Sequence, residues 1–77
     1  MDETKKARLR AQVNRLFKTN PEGSTIEFVV NDEAKGTYGI PQNHFVTLGS
    51  KRPIDWLNDC LRFCVKPGDK VGLRIRR

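Results

Sequence analysis

This 77-residue chain has only one histidine, two cysteines, one tryptophan and one tyrosine. A membrane-spanning helix needs roughly 20 apolar residues in a row, and no stretch of the sequence comes near that. Charged residues occupy the N-terminus where a secretory signal would carry its hydrophobic region. The expectation is a cytoplasmic chain with no membrane association.

His44 has no nucleophile and base pair near it in sequence, and neither a glycine-rich phosphate loop nor a paired-carboxylate motif is present. No enzyme is expected. Cys60 and Cys64 stand four apart in a helical pattern, a poor geometry for a mutual disulfide. With His44 they could supply at most three metal ligands, and this spacing is not that of a zinc knuckle. Reduced thiols, no metal and no cofactor are the reading.

What the chain does have is positive charge, a net +6, distributed unevenly. Residues 1–18 carry +4, residues 19–49 carry −3 and residues 50–77 carry +5. A fold that joins the two ends would create a basic face attractive to polyanions. At this length a single domain spanning 1–77 buries only roughly 60% of its unfolded surface. A homodimer is one remedy for that thin margin.

The spacing of Leu9, Val13, Leu16 and Phe17 predicts an amphipathic helix in "DETKKARLRAQVNRLFK", ended by Pro21 and Gly23. "STIEFVVN" alternates as a strand, with Ile26, Phe28 and Val30 on one side, and "NDEAKG" reads as a turn. "TYGIP" and "HFVTLG" read as extended pieces, either one kinked strand or two, interrupted near Pro41. A second helix is expected in "SKRPIDWLNDCLRFC", with Ser50 as its cap and Pro53 in its first turn. "KVGLRIR" then supplies a last strand. The fold class is α+β, in the order α-β-β-α-β with room for one extra short strand, the helices packing on a small, largely antiparallel sheet.

In the last strand Val71, Leu73 and Ile75 alternate with Arg74 and Arg76, which therefore share the outward side. Arginine forks onto phosphate through two parallel bonds. "GSKRP" places Lys51 and Arg52 at a helix start, where free backbone N–H groups favour anions. Lys5, Lys6, Arg8, Arg10 and Arg15 ring more than half of the first helix, either as a groove-facing surface or as its wet side. Tyr38, between glycine-flanked neighbours, is a candidate for stacking on a base.

"VTLGSKRPIDWLNDCLRF" is similar to the first strand and helix of Alba-type nucleic-acid-binding proteins, with Lys51 and Arg52 matching the basic pair. The flanking elements depart from that family's order. "KGTYGIP" with "KPGDKVGLRI" is similar in wording to the AbrB-type swapped-hairpin DNA binders, but a long helical segment intervenes here. No family is assigned on either stretch.

The favoured expectation is a non-catalytic, regulatory protein that contacts the backbone of DNA or RNA. Arg74, Arg76, Arg77, Lys51 and Arg52 would hold phosphates, with Lys6, Arg10 and Tyr38 assisting. The alternative is a small inhibitor or adaptor that docks a basic face or a sheet edge onto an acidic partner protein.

Overall fold

The carboxylate of Asp2 accepts the Lys5 backbone N–H at 2.8 Å and so starts the first helix, α1, Glu3–Thr19. The computed structural model describes residues 2–77. Glu3 in the first turn and Lys18 in the last suit the helix dipole. Asn20 closes the helix: it is extended, and both its backbone N–H and its side-chain amide donate to the Leu16 carbonyl.

β1, Thr25–Val30, follows, with Ile26, Phe28 and Val30 buried on one face as the alternation requires. The reversal after it is tighter than the expected "NDEAKG" turn. Only Asn31 and Asp32 turn, both in the left-handed region at φ 51° and 69°, and β2 begins at once as Glu33–Gly39. Asn and Asp tolerate that region, and such a two-residue turn matches the twist of the strands it joins. A bulge at Lys35 interrupts the β1–β2 register between the partners of Phe28 and Val29.

The extra short strand does not form among the described residues. Ile40 is buried, Pro41 removes a donor, and a single 3-10 turn, Gln42–His44, holds Asn43 and His44 in the left-handed region. "HFVTLG" therefore becomes a loop that carries Phe45 and Leu48 into solvent. The second helix, α2, is Pro53–Phe63, and Arg52 rather than Ser50 occupies its cap position. The Ser50 hydroxyl instead donates to the Thr47 carbonyl at 2.7 Å inside the loop. Pro53 is buried at the helix start, where its missing N–H costs nothing.

β3, Val71–Arg76, pairs antiparallel with β1, so the sheet order is β2-β1-β3. The turn after β1 is tied to the loop before β3. Asn31 N–H donates to the Lys70 carbonyl, Lys70 N–H donates to Asn31 Oδ1, and the Asn31 amide donates to Asp69. Leu9 and Val13 of α1 and Leu57 and Cys60 of α2 pack with Ile26, Phe28 and Val30 to form the core. Burial of such side chains is worth about 1.5–3 kcal/mol each. At Gly36 the sheet approaches α2 so closely that a Cβ would lie 3.1 Å from Cys60 Sγ. The chain is an α+β fold of two helices on one face of a three-stranded antiparallel sheet.

Candidate nucleic-acid interface

Leu9 and Val13 turn one side of α1 into the core, which dictates what the opposite side shows. Thr4, Ala7, Ala11 and Asn14 recur three and four residues apart, all exposed, and form the outermost ridge of the helix. Lys5, Arg8 and Arg15 border this ridge on the side toward β3, and Lys6 and Arg10 border it on the side toward α2. Lys18 extends the ridge at its C-terminal end. A low ridge between two rows of cations can approach a surface closely while its flanks reach outward.

Most of that charge is uncompensated. Among the described residues Lys6 alone of these α1 cations has an acidic group within 4.0 Å, the exposed Glu3 at 3.6 Å. The Arg10 guanidinium donates through Nε to the neutral Asn58 side chain at 3.2 Å, which orients it without cancelling its charge. Arg62 of α2 lies 5.2 Å from the centre of the Phe63 ring and joins Lys6, Arg10, Asn58 and Leu61 around a hollow of about 300 Å³ between the helices.

The eight residues singled out from sequence do not share one face. Arg74 and Arg76 project from the side of the sheet opposite the helices, where both meet the buried Glu27. Arg77 donates through Nη2 to Asn20 Oδ1 at 2.9 Å, beside the end of α1. Lys51 pairs with Asp59, whose carboxylate raises the lysine above its ordinary pKa through a hydrogen bond and through charge. Arg52 has no acidic group within 4.0 Å among the described residues; at the start of α2 it lines a hollow with Lys18 and His44. Lys6 and Arg10 are the two that project from α1.

Tyr38 turns inward. Its ring packs at 6.2 Å from Phe17 and 5.6 Å from Trp56, its hydroxyl donates to the Lys51 carbonyl at 2.8 Å, and partial burial raises its pKa. That placement makes it a brace between the helix layer and the loop before α2. His44 is similarly engaged, with its ring edge-on to Phe17 and Nε2 2.6 Å from the Asn20 carbonyl.

Arg8 and Arg15, part of the cation ring expected on the first helix, belong to the same basic surface, and Lys18 and Arg62 join them without having been expected there. The signal for Lys18 was the spacing of small residues on α1. Arg62 needed the packing of α2 beside α1. No helix among the described residues is long and apolar enough to cross a membrane. Comparison with protein families, curated proteins and solved structures gives no match, so the functional reading rests on the geometry of this chain.

Proposed function

We propose that the protein is a non-catalytic regulator that binds duplex DNA by laying α1 in the major groove. The single observation that carries this reading is the exposed ridge of Thr4, Ala7, Ala11 and Asn14 with cations along both sides. An α-helix with its side chains is about 10–12 Å across, and the major groove of B-DNA is about 12 Å wide. Small ridge residues let the helix settle toward the groove floor. The two rows of cations then meet the phosphates of the two strands.

Duplex RNA fits less well, because its major groove is deep and narrow. Only Thr4 and Asn14 bring polar groups to the ridge, so binding is governed by phosphate contact and sequence preference is weak. In this reading Arg8, Arg15, Lys6 and Arg10 are the principal contacts, Lys5, Lys18 and Arg62 support them, and Arg74 and Arg76 hold the sheet. The chain works in the cytoplasm, with Cys60 and Cys64 free.

Fluorescence anisotropy with random duplex DNA, single-stranded DNA, duplex RNA and heparin, over a series of salt concentrations, tests the reading. Duplex DNA should bind best, with log K falling by about 0.9 per phosphate contact for each decade of salt. Arg8→Ala with Arg15→Ala should reduce that slope by about 2. Equal binding to all four polyanions would defeat the assignment and leave only a generally basic surface.

A further inference from the structure

Among the described residues β1 has a neighbour on each side, whereas β3 has one only on its β1 side. Its pairing with β1 runs without a bulge from Val30↔Val71 to Thr25↔Arg76, and it contains no proline. These are two of the usual devices that spoil a sheet edge for further pairing, and β3 has neither. The other edge, β2, does carry a bulge.

Alongside the β3 edge runs an open groove of about 710 Å³, bounded by α1 and lined by Lys5, Arg8, Leu9, Gln12, Val71 and Leu73 among others. Its apolar floor is incompletely covered. Val71, Leu73 and Ile75 face the helices yet are only half-buried, whereas Ile26, Phe28 and Val30, their partners on β1, are buried. On the other side of the strand stand Arg74 and Arg76, and no Cβ contact obstructs the space at Gly72.

We infer that β3 is a docking edge for an extended segment of a partner protein whose residues alternate between apolar and acidic. Such a segment continues the sheet through backbone hydrogen bonds, and alternate side chains fall on opposite faces. One set meets the apolar floor of the groove and completes the cover of Val71 and Leu73. The other lies beside Arg74 and Arg76, where carboxylates are favoured as cross-strand neighbours.

Charge decides against the simplest competitor, a second copy of this chain. The acids near the edge are already engaged: Asp2 caps α1, and Glu27 lies under both arginines. An antiparallel β3–β3 pairing would bring Arg74 and Arg76 of two chains together, and like charges opposed across strands are destabilising. The cations that repel a copy attract an acidic strand. The groove shares Lys5 and Arg8 with the proposed duplex contact, but docking at β3 does not rest on that reading, and its test contains no nucleic acid.

The probe is a fluorescein-labelled nine-residue peptide alternating valine and glutamate, titrated by anisotropy and by amide NMR of the full chain. Shifts should concentrate on Val71–Arg76, and replacing each glutamate with lysine should weaken binding at least tenfold. N-methylation of alternate peptide amides should weaken binding tenfold in one phase and leave it nearly unchanged in the other, since only one set of N–H groups faces β3. Equal loss in both phases, shifts centred elsewhere, or a dimer with protected β3 amides before peptide is added would each overturn the inference.

Discussion

Glu27 lies beneath Arg74 on the side of the sheet away from the helices: Arg74 Nε donates to Oε1 at 2.8 Å, and Arg76 Nη1 stands 3.9 Å from Oε2. Glu27 is 7% exposed, so the two arginines act as its lid. This ties the last strand to the central one by charge as well as by backbone bonds. One carboxylate offsets only one of the two guanidinium charges, so that face keeps a net positive charge.

Arg74→Ala should therefore be a stability variant more than a binding variant. The pair is half-exposed on the arginine side, which limits its worth to about 1 kcal/mol. Urea denaturation should show a loss of that order, and duplex affinity should change less than threefold. A tenfold loss of affinity with unchanged stability would put Arg74 in the interface.

Asp69 provides a pH-dependent link. Its carboxylate accepts the Lys66 backbone N–H at 2.9 Å and the Asn31 side-chain amide at 3.0 Å, which hold its pKa below the ordinary aspartate value. A depressed folded pKa contributes stability above the unfolded value, and this contribution is lost as pH falls through the folded one. Thermal melts should show wild type and Asp69→Asn converging as pH drops below the ordinary aspartate range. A gap that widens there would contradict the linkage.

Burial between α2 and β2 raises the Cys60 thiol to about 11, with Cys64 and Asp59 adding to the effect. Only the thiolate attacks. At pH 8 its fraction is about a hundredfold or more below that of an ordinary cysteine, so Cys60 should react with a maleimide far more slowly than in urea-unfolded chain. Mass spectrometry of the modified peptide distinguishes it from Cys64, and native labelling of Cys60 at the unfolded rate would show that the site is open.

The elements with strong period were legible in the residues themselves. Leu9 and Val13 marked the buried stripe of α1, and the alternation of Ile26, Phe28 and Val30 marked the inner face of β1. Less legible was where β2 begins, because Glu33, Ala34 and Lys35 lack the β-branched and aromatic residues that announce a strand. They are held by the Asn31–Asp32 turn and by pairing with β1.

The candidate site was half visible. The cations of α1 could be counted, but whether they meet those of β3 depends on which sheet face the helices cover, a tertiary choice. Glu27 and Arg74 are 47 positions apart, and only the β1–β3 register makes them neighbours. The close approach of Gly36 to Cys60 likewise depends on how α2 settles on β2.

The most direct test places negative charge on the α1 ridge itself. Ala7→Glu with Ala11→Glu uses exposed helix positions and a good helix former, so the fold should persist. Ala34→Glu with Lys35→Gln makes the same change in net charge on β2. Measured side by side by anisotropy on one duplex, the α1 variant should lose at least thirtyfold in affinity and the β2 variant no more than about threefold, since charges beyond a Debye length are largely screened. Equal losses in the two variants, or a larger loss on β2, would contradict docking through α1.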